Sequence, residues 1–164
     1  MKITSSAVVD GALDIIYGKF GDDVINGMPV RSFPFEIHEA PHDTVSFAFI
    51  FDDPDSIPVC GFPWTHWMAA NLHDTVIADD ASRTNRTFIQ GVNSWFNPRR
   101  KETALQYACY GGPAPPDRMH TYVLTLWALD SDVAMQQGFS KQELLNAIKG
   151  HIVATAKLHA TYQS

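Results

Sequence analysis

The sequence has little with which to cross-link itself. Of 164 residues only two are cysteine, Cys60 and Cys109, far apart and in no metal or redox spacing. That argues against a disulfide framework and predicts two reduced thiols in a cytoplasmic protein. Long apolar runs are missing too. The opening MKITSSAVVDGALDIIYG holds no stretch of the kind a secretory leader needs. Nothing approaches the ~20 apolar residues of a membrane-crossing helix. Positive charge is scarce, with 12 Lys and Arg against 18 Asp and Glu and a formal charge of −6. An acidic chain without a basic cluster is a poor partner for nucleic acid or for an anionic membrane. Its one basic run, Arg99-Arg100-Lys101, lies in a polar, turn-rich segment and reads as a solvated loop tip.

Catalytic motifs are equally sparse. No H-x-H, H-x-x-x-H or H-x-D pair joins the candidate ligands described below, so a metal site has no local signature. Ser94 is not in a G-x-S-x-G elbow, so a Ser/His/Asp hydrolase has none either.

What is present is apolar and aromatic: 45 % hydrophobic residues and 12 % aromatics, the composition of a packed globular chain. The length suits a single domain spanning residues 1–164 that buries roughly two thirds of its unfolded surface. The segment Val45 to Phe51, VSFAFIF, is short and nearly all apolar, and predicts a strand buried on both faces. The proline-rich segment Asp52 to Thr65 follows, then a second strand over His66 to Leu72. Adjacent strands joined by such a loop are usually antiparallel, which puts Asp53 near His66. Val30 to Ile37 reads as a strand interrupted at Pro34, hence an edge, and Thr87 to Gln90 as a short strand. Met119 to Leu129 alternates, so His120 and Tyr122 project on one side, about 7 Å apart. Both its faces are largely apolar, which predicts a central strand. Near the C-terminus, Ser140 and Glu143 form a capping box. Leu144, Leu145, Ile148, Ile152 and Ala156 then recur at helical spacing, with Gly150 a weak point or a break.

Asp53, His66 and His120 each sit where a strand meets a proline-containing loop. If the strands share a sheet, the three converge at one end. Two histidines, partly cationic near neutral pH, with a carboxylate to orient one of them, make a compact anion receptor. The stiff turn Tyr110-Gly111-Gly112-Pro113-Ala114-Pro115-Pro116 would add backbone N–H groups. Each histidine alone also fits a hydrogen-bonded structural role. The tryptophans Trp67, Trp95 and Trp127 read as core or loop anchors, and His38, His42, His73, His151 and His159 as surface or structural residues.

Together, Asp53-Pro54-Asp55, His66-Trp67 opening a strand, the 110–116 turn, His120 and Tyr122 resemble the phosphatidylethanolamine-binding protein family. That family includes the Raf kinase inhibitor proteins, and the likeness is greatest to its bacterial and archaeal branch, over the whole chain. The resemblance implies a mainly β fold: a large central antiparallel sheet packed on a smaller sheet, with peripheral helices, one near the C-terminus. It implies a small pocket for phosphate, acetate, phosphorylethanolamine-like groups or a phosphorylated side chain. Carried over, the pocket residues are Asp53, His66, His120 and Tyr122, with Trp64 as an aromatic wall. The turn that Tyr110 opens, with Gly112, Ala114 and Pro115, is the opposite rim.

Four features depart from the family pattern. The segment after Asp55 is one residue longer, through Ser56-Ile57-Pro58; the link Asp117-Arg118-Met119 is shorter and lacks a glycine; Thr121 stands where an arginine is usual; and the loop from Asn93 to Ala108 is longer. The expectation is therefore a small cytoplasmic anion- or phosphate-binding module, regulatory in role, neither an enzyme nor dependent on cofactor or metal. Its partner would be a small anionic or phosphorylated ligand, with no nucleic acid and no membrane insertion. From family likeness alone come a homodimer and a protein kinase partner. The competing expectation is a phospho-ester or metal-dependent hydrolase using the same His/His/Asp set as acid and base.

Overall fold

The structure, a computed structural model, describes residues 1–164. Its strands are β1 (Lys2–Thr4), β2 (Val8–Val9), β3 (Ala12–Leu13), β4 (Val24–Ile25), β5 (Met28–Pro29), β6 (Phe35–His38), β7 (Ser46–Asp53), β8 (Trp64–Leu72), β9 (Val76–Ile77), β10 (Ile89–Gln90), β11 (His120–Leu129) and β12 (Ile152–Tyr162). The helices are short: α1 (Ile57–Cys60), α2 (Ala81–Thr84) and α3 (Lys141–Ala147).

Seven strands form one large sheet in the order β10-β8-β7-β11-β12-β3-β2, antiparallel except where β12 meets β3. β1, β6 and β9 form a smaller sheet. β7 is apolar from Phe47 to Phe51 because it is covered twice. Phe47, Phe49 and Phe51 face a cluster shared with Phe35, Ile37 and Ile77 of the small sheet. Ala48 and Ile50 face Leu144 and Ile148 of the α3 segment, together with Val133 and Phe139. The first cluster is held by edge-on aromatic pairs, among them Phe49–Trp67 at 4.7 Å and Phe33–Phe51 at 5.0 Å between ring centroids. The mainly β architecture, with a large sheet packed on a smaller one and a helix near the C-terminus, is the one the sequence and its family likeness imply.

Two expectations are corrected. The helical repeat does not continue past Ile148. Gly150 turns the chain at φ 89°, and Ile152 to Tyr162 is a full-length strand on β11, with Leu124 opposite Leu158. A spacing of four is a multiple of the strand period as well as close to a helical turn, so Ile152 and Ala156 fit either element. The β-branched Ile152, Val153, Thr155 and Thr161 favour the strand. The strand expected from Val30 is only β6, which starts after Pro34 and lies in the middle of its sheet. The proline precedes the ladder, so it imposes no edge.

The end of β12 is tied to the amino-terminal segment. The Tyr162 hydroxyl donates to Ile15 O at 2.8 Å and accepts from the Phe20 amide at 3.2 Å, while its ring fills the space beside Gly18. Tyr162→Phe is expected to cost about 1–2 kcal/mol in urea unfolding, because it strands both backbone groups. Unchanged stability would show that this tie is dispensable.

Candidate functional site

The site lies at one end of the large sheet, where β7 ends and β8 and β11 begin. Asp53 pairs with Trp64 across the β7–β8 ladder, and Asp52 with Thr65, but Phe51 pairs with Trp67. His66 is therefore the extra residue of a β-bulge. Strict alternation allows only one of two neighbours to face inward. The bulge lets both do so: Trp67 enters the aromatic core, and His66 lies beside Phe51 and Tyr122, with ring centroids at 5.8 and 5.2 Å.

The loop after Asp53 is closed by Ser56, whose hydroxyl donates to Asp53 O at 2.6 Å and accepts from the Trp64 amide at 2.8 Å. Asp55 accepts from the Thr121 amide at 2.9 Å and from Arg118 at 3.3 Å, which joins this loop to the start of β11. The segment continues into α1, which ends at Gly61 in the left-handed region, φ 90°.

The two histidines differ in what they offer. The His66 ring donates from Nδ1 to Gly111 O at 2.5 Å, and its own carbonyl accepts from the Gly111 amide at 2.8 Å. A carbonyl can only accept, so Nδ1 carries the proton. Burial pushes the His66 pKa down to about 4, against support from the Gly111 and Gly112 backbone. At neutral pH the ring is uncharged and Nε2 presents a lone pair. His120 is 1 % exposed and lies between two carboxylates, Nδ1 to Asp53 at 2.7 Å and Nε2 to Asp117 at 2.9 Å. Burial raises the Asp53 pKa, and the His120 contact works against that rise. The Tyr122 hydroxyl is pushed far up, by burial first and then by Asp53, so it stays protonated.

These side chains line a cavity of about 200 Å³, with Trp64, Trp95, Ala114, Pro115 and Pro116 on its other walls. At ~30 Å³ per water, that is room for about six or seven waters, the size of a small ligand. Five buried side-chain polar atoms in the protein have no hydrogen-bond partner, and four of them belong to residues lining this cavity: Asp53 Oδ1, His66 Nε2, Trp95 Nε1 and Tyr122 Oη. Unpaired buried polar atoms are costly, so four around one cavity mark a place built for a polar guest. No group of three or more His, Cys, Asp or Glu side chains is placed to hold a metal ion.

The comparisons with known proteins agree with this architecture. Residues 4–163 match the family model described as phosphatidylethanolamine-binding protein. The chain belongs to the phosphatidylethanolamine-binding protein family. It is similar to YxkA of Bacillus subtilis, 37 % identical over 148 residues, covering 87 % of this chain and 88 % of that one. A UPF0098 protein of Chlamydia trachomatis is 34 % identical over 133 residues, covering 79 % and 81 %. Among solved structures, the phosphatidylethanolamine-binding protein homologue CT736 of Chlamydia trachomatis superposes with a TM-score of 0.80 at 30 % identity, covering 99 % of this chain and 97 % of that one. YbcL of E. coli gives 0.78 at 25 % identity, with 99 % and 98 % covered.

As a member of this family the chain keeps most of its expected pocket groups together and moves others behind it. Asp53, Trp64, His66, Ala114, Pro115, His120 and Tyr122 line the cavity. Tyr110 and Gly112 do not. Tyr110 is fully buried in the aromatic core and donates its hydroxyl to Tyr17 O at 2.7 Å. Gly112 is required because a Cβ there would sit 2.4 Å from Tyr17 O. Both support the turn from behind.

Of the expected row of amides in the turn, only that of Ala114, which lines the cavity, is left without a partner. The amides of Tyr110, Gly111 and Gly112 donate to Ser82 Oγ, His66 O and Pro29 O, and prolines 113, 115 and 116 have none. A cationic His66 is corrected likewise, by its burial. Asp53 holds His120 rather than His66.

Two groups are not legible in the sequence as part of the site, Trp95 reading there only as a core or loop anchor. Trp95 lines the cavity from the long loop, and its only signal was an indole in an otherwise polar segment. Asp117 reaches His120, and its signal was an acid three residues before that histidine in a shortened link.

The low His66 pKa has a measurable sign. The unfolded chain takes a proton on this side chain near pH 6.5, the folded chain only near 4, so the unfolded state binds more protons in between. Stability therefore rises with pH from about 4 to 6.5, by about 3 kcal/mol from this group. Urea unfolding at pH 7 and pH 4.5 should show a smaller acid loss for His66→Gln than for the wild type. Equal losses would mean that His66 is not held neutral.

Proposed function

We propose that this chain is a binding module for a small oxyanion, a phosphate or phosphate-like group, and that the bound species carries a proton. The observation that carries this reading is the set of four unpartnered polar atoms around one small cavity. They are of both kinds. Tyr122 Oη–H and Trp95 Nε1–H donate, whereas neutral His66 Nε2 and Asp53 Oδ1 accept. A fully ionised phosphate has only acceptors and would leave His66 and Asp53 unsatisfied. A protonated phosphate group offers both P–O⁻ and P–OH: dihydrogen phosphate has a P–OH for each of the two acceptors, and a monoester monoanion has one. The cavity volume suits a small ligand of this kind.

Family membership supports the same class of ligand. The free headgroup, a lipid headgroup and a phosphorylated side chain share this chemistry, so inorganic phosphate and phosphorylethanolamine are the two soluble probes to compare. Cytoplasmic location and a regulatory role complete the reading. No helix is long and apolar enough to cross a membrane.

Binding should tighten as pH falls from 8 to 6, approaching tenfold per unit, because the second proton of a phosphate group has a pKa near 6. The groups facing His66 that titrate or carry charge are His120, Asp53, Tyr122 and, through His120, Asp117. Calorimetric titration with both probes checks this, with His120→Ala expected to lose binding. Affinity independent of pH, or binding retained in His120→Ala, would contradict the reading. Turnover of a phosphomonoester panel that is lost in His120→Ala would establish a hydrolase instead.

A further inference from the structure

His120 is the residue whose outer nitrogen a bound oxyanion would meet, yet that nitrogen is already in use. Asp117 Oδ1 lies 2.9 Å from Nε2, while Nδ1 is held by Asp53 at 2.7 Å. The two carboxylates are unequal. The Asp53 side chain is 5 % exposed and fixed at the end of β7, whereas that of Asp117 is 50 % exposed. Asp117 makes no other side-chain contact, because the neighbouring Arg118 reaches away to Asp55 and to the Met119 carbonyl. It stands on the link between Pro116 and β11, which in this chain is only three residues long. A side-chain rotation would take it from His120 into water. A half-exposed carboxylate is well solvated once released, so the move is easy.

We propose that Asp117 is a built-in competitor for the pocket: its carboxylate holds the His120 nitrogen that an oxyanion would use, and a ligand binds by displacing it into solvent. This rests on the oxyanion reading of the cavity given above. The consequence for ligand class follows from competition. Asp117 is tethered, so it acts at a high effective concentration and a free ligand must do better than a carboxylate. Acetate only replaces like with like. A phosphate group brings further oxygens, which can reach the unpartnered Tyr122 and Trp95 donors and give the protonated oxygen to His66 Nε2. The displacement cost is common to both anions, so the internal carboxylate weakens each by the same factor, and only a ligand with such further contacts overcomes it well.

The test is calorimetric titration of inorganic phosphate and of acetate into the wild type, Asp117→Ala and Asp117→Asn at pH 6 and low salt. Thermal melts confirm that the variants fold, and His120→Ala serves as the pocket control. Acetate affinity should rise about tenfold in Asp117→Ala, the scale of one hydrogen bond to a charged group. Phosphate should gain by a similar factor, with Asp117→Asn in between for both anions. Weaker binding of both anions in the variants would make Asp117 a ligand-holding residue and overturn the proposal. Unchanged affinities, with phosphate binding still lost in His120→Ala, would overturn it while leaving the pocket intact. If neither anion binds the wild type or the variants, the oxyanion reading fails and this proposal fails with it.

Discussion

The hydrogen bond between Asp53 and His120 is the contact on which this end of the molecule depends. It joins the last residue of β7 to the first of β11, both nearly sealed from water. A buried carboxylate without a partner would be strongly destabilising, and the His120 ring nitrogen supplies that partner. Around this bond the other departures from regular structure fall into place. The bulge at His66 turns a second ring to the same face. Asp55 ties the loop after β7 to the Thr121 amide, and the 110–116 turn packs so closely that Gly112 can carry no side chain. The sheet supplies rigidity, and its irregular end supplies the polar groups.

The result is a cavity whose polar atoms are not fully paired: Tyr122 lies close enough to Asp53 to feel its charge, while His66 Nε2 and Trp95 Nε1 face no partner. Burial leaves His66 neutral and Tyr122 protonated, so charge in the site is confined to the Asp53–His120–Asp117 line. A pocket built only from cations and amides would favour the most highly charged anion. This one mixes acceptors with donors, which favours a guest that carries both. The basic run at residues 99–101 is not among the cavity's lining residues, in keeping with its reading as a solvated loop tip.

Much of this could be read from the chain because it follows from periodicity. The apolar run of β7 and the alternation of β11 fixed which side chains share a face, and so brought His120 and Tyr122 together. What could not be read depends on register and burial. A bulge is a mismatch between two strands, so the inward turn of both His66 and Trp67 leaves no trace in either strand alone. The neutral state of His66 comes from neighbours far away in sequence. Tyr110 and Gly112 belong to the same turn as Ala114 and Pro115, and only the packing shows that they stand behind the wall. β12 was misread because residues four apart share a face in both helix and strand. Asp117 and Trp95 are not legible as part of the site because nothing in a single sequence says where an acidic link or a polar loop will fold back.

The central claim is that the His66–His120–Tyr122 cavity holds a protonated oxyanion, and a crystal structure of the protein soaked in phosphate near pH 6 tests it most directly. The predicted result is tetrahedral density within hydrogen-bond distance of His66 Nε2, Tyr122 Oη and His120 Nε2, with the Asp117 carboxylate turned out to solvent. A cavity that stays free of phosphate, or phosphate bound elsewhere with Asp117 still on His120, would contradict the account.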